Sequence, residues 1–186
     1  MSNSHYENLL SFHKELVMKT ISFNNVNKRF KMAETTIKIP SGSETIRTEV
    51  VCPNDTNPMG ILQGGQLVRW MDIGAAVCAQ IHAEKICVTA SIDSVNFKIP
   101  AKLGDIVNIK AKITRAFTSS MEIFVQAYVQ NIKSKKKILA SEAYFTFVAL
   151  DDKAKPTSVP SLKPVTKEET RQYNNAIKRR KKHRDE

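Results

Sequence analysis

Three long segments in which apolar and polar residues alternate constrain the fold of this chain more than any other feature. They span 105–114, 120–132 and 138–150. Side chains alternate between the two faces of a β-sheet, so a period of two predicts strands with one buried face. Short polar connectors such as KSKKK at 133–137 suit hairpin turns, which favours an antiparallel sheet. The residues predicted on the buried face are Val107, Ile109, Ala111, Ile113, Met121, Ile123, Val125, Ala127, Val129, Ala143, Phe145 and Phe147.

One long apolar helix precedes these strands, over roughly Gln66 to Ala83. Segments 45–52 and 87–97 are rich in β-branched residues and predict two further strands. Trp70 and Val77 flank the apolar stripe of the helix, so it is apolar around most of its girth and should be buried on several sides. A single helix of this kind, followed by sequential strands, is typical of an α+β fold whose sheet wraps around the helix. The stripe consists of Leu67, Met71, Gly74, Cys78 and Ile81.

Positive charge is concentrated at the two ends of the chain, whose formal net charge is +11. Residues 1–31 hold five Lys and Arg against two acidic residues, 32–162 hold fifteen against twelve, and 163–186 hold nine against four. We interpret these as an N-terminal extension, a folded domain and a basic C-terminal segment. The extension is either an amphipathic helix or an artefact of start assignment, because Met32 also suits a start. The C-terminal segment opens with a capping-box pattern and predicts a helix that frays into a charged tail.

The composition excludes several classes of protein. No apolar run approaches the ~20 residues of a membrane span, and no signal peptide with a small-residue cleavage site is present. The three cysteines, Cys52, Cys78 and Cys87, are odd in number and lie in apolar surroundings, which favours reduced thiols. The four histidines have no metal-ligand spacing. We therefore expect a cytoplasmic protein with neither a metal site nor a membrane partner.

The stretch DTNPMGILQGGQLVRWMD, at 55–72, contains the candidate site. Gly64 and Gly65 precede the helix, where backbone N–H groups have no helical partner. Glycine lets another group approach these N–H groups, and a helix N-terminus favours the oxyanion that forms when a carbonyl is attacked. The alternative is a glycine turn required only for close packing. Asn57, in the loop before the glycines, could orient a ligand or form an ordinary Asx turn.

Asp72 stands within the apolar helix, where a charged side chain is unexpected. At helical spacing its neighbours are Val68, Ala75, Ala76 and Ala79, whose small side chains leave room for a ligand. In such surroundings a carboxylate could act as a general base. The alternative is an ion pair with Arg69 three residues earlier. An amide, a helix N-terminus and an acid together are the groups that hydrolysis of an ester or thioester requires.

Four motifs in this chain together resemble one known family. They are PNDTNPMGILQGGQLVRWMD at 53–72, VTASIDSVNFKIPAKLGD at 88–105, SSMEIFV at 119–125 and AYFTFVALDDKAKPTSVP at 143–160. Their order and short gaps, from about residue 46 to 165, resemble the hotdog-fold acyl-CoA thioesterases, in the branch of the brain-type acyl-CoA hydrolase and its bacterial relatives. The resemblance implies a hotdog fold, in which an antiparallel sheet wraps around a long central helix, and an acyl-CoA substrate.

The resemblance also implies roles for individual residues. Asn57 matches the loop asparagine of the family, Gly64 and Gly65 match its oxyanion-hole glycines, and Asp72 matches the acid of the central helix. Family members pair their sheets edge to edge, so Asp72 of one subunit should work with the Asn57 loop of its partner. Many relatives are hexamers, as trimers of dimers. Ser119 and Ser120 lie where relatives contact coenzyme A.

The chain departs from the family pattern at three positions. Gln63 replaces the usual aromatic residue or histidine before the glycine pair, Ile61 replaces a small or polar residue, and Phe117 stands where a glycine is usual. The proposed catalytic set is intact. Ile61 and Gln63 are expected to line the acyl pocket, which leaves the chain-length preference open.

Two rival functions stay open at this point. One is a non-catalytic acyl-CoA sensor that acts through its basic tail on nucleic acid or a protein partner, although it leaves Asp72 without a role. The other is a hotdog dehydratase, which would need a histidine in the site. His82, at the far end of the helix, is better interpreted as a partner of the helix dipole. The cations of 178–184 could steer an anionic substrate, contact nucleic acid or form a solvated tail. The thioesterase is favoured, with no cofactor besides the coenzyme A of the substrate, and nucleic acid is not an expected partner.

Overall fold

The computed structural model describes residues 37–133 and 135–185. The N-terminal extension over 1–31 lies outside the described residues, so its prediction is not tested. Within the described residues, neither helix combines the length and the apolarity needed to cross a membrane.

The described chain forms an α+β fold with one five-stranded antiparallel sheet and two long helices. The strands and long helices are β1 (Ile37–Lys38), β2 (Thr45–Val50), α1 (Gly64–Ala83), β3 (Cys87–Phe97), β4 (Ile106–Ala116), β5 (Ser120–Gln130), β6 (Lys137–Ala149), β7 (Ser161–Leu162) and α2 (Lys167–Asp185). The strand order in the sheet is β2-β4-β5-β6-β3, so β2 and β3 are its edges. The two-residue strands β1 and β7 form a separate parallel pair.

The core lies between α1 and one face of the sheet. All twelve residues predicted on the buried face of the three alternating segments are buried, which confirms the assignment of that face. Leu67, Met71 and Cys78 of α1 pack against them. Gly74 brings the helix close to the sheet, since a Cβ there would stand 3.3 Å from Cγ2 of Ile109. The fold class predicted from alternation and one apolar helix is therefore confirmed.

One side of α1 differs from the prediction, and the edge strand β3 beside it is also exposed. Val77 and Ile81 of the helix are 40% and 47% exposed, although Ile81 was assigned to the buried stripe. On β3, Val88 and Ile92 are also exposed, at 43% and 39%. The physical reason is that the sheet covers only one side of the helix, and no element of the described chain covers this flank. Several exposed apolar side chains beside an unpaired strand edge are typical of an interface.

His82 was predicted to interact with the dipole of α1 as a cation, and that interpretation is wrong. Its side chain is completely buried and its Nε2 lies 2.9 Å from the carbonyl oxygen of Pro160. Burial lowers the pKa of His82, which keeps the ring neutral. Lys38 of β1 takes the cationic role, since its Nζ donates to the carbonyl oxygens of Ile81 and His82 at 3.3 and 2.8 Å.

The helix α2 begins at the predicted capping box. The N–H of Glu169 donates to Oγ1 of Thr166, and the carboxylate of Glu169 accepts from the backbone N–H groups of Thr166 and Val165. Partial burial alone would raise the pKa of Glu169. The hydrogen bond from Lys112 and the two from the backbone outweigh burial and lower this pKa to about 2.

The rest of α2 lies on the outer face of the sheet, and the helix extends to Asp185. Arg179 forms a two-pronged ion pair with Glu122 of β5, with N···O distances of 2.9 and 2.7 Å. Its guanidinium also stacks over the ring of Tyr144, 3.8 Å from the ring centre. Arg180 stacks over Phe117 at 4.1 Å. Part of the basic C-terminal segment is therefore packed on the sheet. One of the interpretations of its cations was a solvated tail, and Arg179 and Arg180 do not fit it.

Candidate active site

The first turn of α1 presents three backbone donors without a partner. Among the described residues, the N–H groups of Gly64, Gly65 and Gln66 make no hydrogen bond, and the first N–H with an intrahelical acceptor is that of Leu67. The residue before the helix, Gln63, does not cap it, because its side chain turns back and donates to the carbonyl oxygen of Thr56. These donors are free to bind a carbonyl oxygen or an oxyanion.

The two glycines have different surroundings. A Cβ on Gly64 would stand 3.2 Å from Cζ of Phe97, so close packing explains glycine at this position. A Cβ on Gly65 would meet nothing within 4 Å. The packing interpretation therefore holds for Gly64, while Gly65 faces open space beside the free N–H groups.

The loop before α1 is folded around Asn57. The side-chain oxygen of Asn57 accepts hydrogen bonds from the N–H groups of Met59 and Ile61 at 3.0 and 3.2 Å, which is an Asx-type turn. The side-chain NH₂ group of Asn57 has no partner among the described residues. The Asx interpretation is thus right for the oxygen, and it leaves the nitrogen free to donate to a ligand.

Asp72 is paired with a residue that the sequence analysis did not identify. The hydroxyl group of Thr89, on the edge strand β3, donates to Oδ1 of Asp72 at 2.7 Å. No ion pair joins Asp72 and Arg69 in the part of the chain that the structure describes, so the alternative of a surface ion pair is not supported. A β-bulge follows Thr89 directly, and bulges redirect side chains at sheet edges. A threonine in a β-branched strand is ordinary, so the sequence carried no signal for this contact.

Asp72 and the free N–H groups lie too far apart along α1 to act on one carbonyl group within this chain. Asp72 follows Gly65 by seven residues and Gly64 by eight. At 1.5 Å per residue the separation along the helix axis is roughly 11 Å. The two halves of the predicted site are therefore present, but the described chain does not bring them together.

Ser119 and Ser120 lie at the same end of the sheet as Thr89. The strand register aligns Ser120 with Val148 of β6, and Val148 with Val88, the neighbour of Thr89. Two strand spacings, about 10 Å, separate Ser120 from β3. Neither serine contacts Asp72 in the described residues: the carbonyl oxygen of Ser119 accepts from the N–H of Ala149 at 2.9 Å, and that of Ser120 from the N–H of Phe117 at 2.8 Å.

An apolar cavity of about 320 Å³ opens beside the first turn of α1. Ile61 and Gly64 line this cavity, whereas Gln63 is exposed and is not among its lining residues. Phe97 forms another part of the wall. The structure thus places Ile61, and not Gln63, at the apolar space nearest the free N–H groups.

Other chemically active groups lie away from this region. Burial raises the pKa of Cys78 to about 12 and that of Cys87 to about 11, so neither thiol is a ready nucleophile. His82 follows Asp72 by ten residues, roughly 15 Å along the helix. Among the described residues, no three His, Cys, Asp or Glu side chains form a group that could hold a metal ion.

The known proteins that this chain is similar to are thioesterases and acyl-CoA hydrolases. The model of the thioesterase superfamily matches residues 59–135. The chain is 39% identical over 137 residues to an uncharacterized acyl-CoA thioester hydrolase, YkhA, of Bacillus subtilis, covering 74% of this chain and 80% of that protein. It spans only about a quarter of the longer mammalian relatives that it also matches.

Solved structures are similar over most of the chain. An acyl-CoA hydrolase from Staphylococcus aureus, in complex with butyryl coenzyme A, coenzyme A and coenzyme A disulfide, is 41% identical, with a TM-score of 0.74 and coverage of 80% of this chain and 92% of that one. A hexameric acyl-CoA thioesterase is 37% identical, with a TM-score of 0.78 and coverage of 81% and 96%.

Alanine variants of the Staphylococcus aureus hydrolase have also been solved, at an asparagine, an aspartate and a threonine. In that protein the asparagine precedes the aspartate by 15 residues and the threonine follows it by 17. Asn57, Asp72 and Thr89 have the same two spacings in this chain.

Proposed function

We infer the function of this chain from the family to which it belongs: it is a member of the thioesterase superfamily, among the hotdog-fold acyl-CoA thioesterases, which are thioester hydrolases. We propose that it hydrolyses acyl-CoA to a free carboxylic acid and coenzyme A. One observation carries the proposal: Thr89 is hydrogen-bonded to Asp72, and with Asn57 the two repeat the spacing of three residues varied in the Staphylococcus aureus hydrolase.

The proposed active site is built from two chains. Asp72 and Thr89 of one subunit would face Asn57 and the open first turn of α1 of the other. The roughly 11 Å between the two halves within one chain supports this arrangement. So does the exposed apolar flank formed by Val77, Ile81 and Val88, which a second subunit would cover. We further propose that the chain is a homo-oligomer, and a hexamer as a trimer of dimers, since relatives of similar structure are hexameric.

In the proposed mechanism the thioester carbonyl oxygen binds at the N–H groups near Gly64 and Gly65. Asp72 removes a proton from water, and the water oxygen bonds to the carbonyl carbon to give an oxyanion held by those donors. The oxyanion collapses, the C–S bond breaks, and coenzyme A leaves as a thiolate that takes the proton back from Asp72. In the alternative, the carboxylate of Asp72 attacks the carbonyl carbon, the C–S bond breaks and coenzyme A leaves as a thiolate. Water then hydrolyses the resulting anhydride, which releases the carboxylic acid and regenerates Asp72; the proton released from water goes to the thiolate.

The remaining residues bind or orient the substrate in this proposal. The free NH₂ group of Asn57 holds the carbonyl group or the water in line, and the hydroxyl of Thr89 fixes the rotamer of Asp72. Ile61 contacts the acyl portion, and Ser119 and Ser120 the coenzyme A portion. The thiol of coenzyme A is a good leaving group, so we propose that no cofactor is required. The thiols of Cys52, Cys78 and Cys87 are free, which agrees with a reducing compartment such as the cytoplasm.

The decisive experiment measures thiol release from acyl-CoAs with chains of two to sixteen carbons, with the wild-type protein and Asp72→Asn side by side. We expect turnover by the wild type and a kcat at least ~100-fold lower for the variant, a common contribution of a positioned general base. Asp93→Asn, which changes an acidic residue of β3 itself, is the matched control. If the wild-type protein binds acyl-CoA but hydrolyses none of these substrates, the proposed hydrolase function is wrong and the acyl-CoA sensor becomes the favoured function.

A further inference from the structure

The apolar cavity beside α1 is not explained by the hydrolytic groups alone. Its walls come from the loop before α1, from the helix, from the end of β3 with the residues that follow it, and from Ala140 of β6. The lining is apolar apart from Lys98, whose ammonium group is paired with Glu142 at 2.5 Å. Its volume of about 320 Å³ is near the lower end of the ~300–1,000 Å³ typical of small-molecule pockets, too small for a whole coenzyme A thioester. Its main walls are Ile61, Leu67, Phe97, Ile99 and Ala140.

Phe97 is the wall of this cavity that can change position. It is the last residue of β3, and its side chain is 56% exposed, so its ring has freedom to move outward. The inner edge of the ring lies against Gly64, where a Cβ would stand at 3.2 Å from Cζ. The ring is therefore in direct contact with the first residue of α1. A displacement of the ring would enlarge the cavity next to the free N–H groups.

The orientation of a bound substrate relates the free N–H groups of α1 to the apolar cavity. A carbonyl oxygen at the N–H groups of Gly64 and Gly65 fixes the carbonyl carbon within about one bond of that position, and the acyl chain must continue from there into apolar space. The cavity is lined by Gly64 itself and is the apolar space adjacent to those donors. Each methylene group that enters it adds about fourfold to binding, because burying one CH₂ contributes ~0.8 kcal/mol.

We propose that this cavity receives the acyl chain and that Phe97 sets the longest chain it accepts. The inference rests on the proposed function, since it needs the thioester carbonyl group at the start of α1. The bound class is an uncharged alkyl acyl group, because the walls are mainly aliphatic or aromatic and an ionised group would leave its charged atoms without partners.

Two variants with opposite expected effects test this inference. Phe97→Ala widens the cavity and should raise the ratio of kcat/KM for dodecanoyl-CoA over butyryl-CoA at least tenfold. Ile99→Phe narrows it and should lower the same ratio by a similar factor, since one misfitting methylene in an apolar pocket already changes specificity about tenfold. Ile132→Ala is the control and should leave the ratio unchanged, since Ile132 is an exposed apolar residue, at 63%, on the turn between β5 and β6.

A second readout separates this inference from the proposed hydrolysis. The dissociation constants of S-butyl-CoA and S-dodecyl-CoA are measured by calorimetry, because these thioethers have no carbonyl group and are not hydrolysed. A change in the ratio of the two constants for both variants, in the expected directions, supports the acyl cavity even if the wild-type protein hydrolyses no acyl-CoA. Wild-type ratios for folded Phe97→Ala and Ile99→Phe overturn the inference, even if hydrolysis is confirmed.

Discussion

Thr89 holds Asp72 through a single hydroxyl group, which makes the contact easy to remove without changing the shape of the side chain. Thr89→Val deletes the donor and preserves the volume. We expect kcat to fall about tenfold, because a hydrogen bond to a charged group contributes about 1.5 kcal/mol to holding it in place. Thiol release from a saturating acyl-CoA measures the change.

The control for this prediction is the same substitution on the opposite edge of the sheet. Thr48 of β2 also donates its hydroxyl to a side chain, that of Asn108, at 3.1 Å. Thr48→Val should leave kcat unchanged. A Thr89→Val protein with wild-type kcat would mean that Thr89 only stabilises the edge strand and has no role in positioning Asp72.

A substitution of Gly65 tests whether glycine is needed there to leave an oxyanion site open or only to allow close packing. Nothing stands within 4 Å of a Cβ at this position, so Gly65→Ala should fold with unchanged or slightly higher stability. The methyl group would occupy the space over the free N–H groups, and we expect kcat/KM to fall at least tenfold. Gly42→Ala, which also meets nothing within 4 Å and lies in a turn away from the site, should change neither property. Full activity of folded Gly65→Ala would contradict the assigned oxyanion site.

At the scale of the element, α2 is attached to the sheet through two ion pairs, Lys112 with Glu169 at its start and Arg179 with Glu122 further along, and the second can be tested by itself. Glu122 is 5% exposed and depends on Arg179 for its charge balance. Arg179→Ala leaves this carboxylate buried without its partner, and we expect the free energy of unfolding in urea to fall by about 2 kcal/mol. Adding Glu122→Gln should recover part of the loss, because no unpaired charge then remains.

The adjacent residue Lys178 supplies the control for this experiment. Its side chain is exposed on the outer side of α2, so Lys178→Ala should change the free energy of unfolding by no more than about 0.5 kcal/mol. Equal stabilities of Arg179→Ala and Lys178→Ala would show that α2 does not depend on Glu122 for its attachment.

At the scale of the whole molecule, a shared active site can be recognised by complementation. Asp72→Ala and Asn57→Ala should each be inactive when purified alone. If each site takes Asp72 from one subunit and Asn57 from its partner, a mixed dimer has one intact site and one doubly defective site. Co-expression of the two variants with random pairing should then restore about a quarter of the wild-type specific activity.

The same experiment excludes the competing arrangement. If Asp72 and Asn57 of one chain served the same site, no mixed dimer would contain an intact site and activity would stay at the level of the single variants. Mixing Asp72→Ala with Asp72→Asn is the control, since no pairing of these chains restores an aspartate.

The sequence by itself determined the elements that depend on local periodicity. The alternating residues of β4, β5 and β6 identify their buried face because every second side chain points the same way, whatever the rest of the chain does. The capping box of α2 is equally local, since Thr166 and Glu169 are three residues apart. Asn57, the glycine pair and Asp72 were recognisable as a motif, because they stand within one short stretch and resemble a family pattern.

Only the tertiary structure decided which of these groups meet, because contacts between distant segments depend on strand order and register. The partner of Asp72 is Thr89 on an edge strand, and no sequence period connects the two. Burial lowers the pKa of His82 and so favours its neutral ring. The cation at the end of α1 is instead Lys38, forty-four residues earlier, whose ammonium group donates to the carbonyl oxygen of His82. The same three-dimensional packing places the ring of Phe97 against Gly64 and leaves open space beside Gly65. A sequence specifies which side chains are available, and the folded chain specifies the distances at which their chemistry operates.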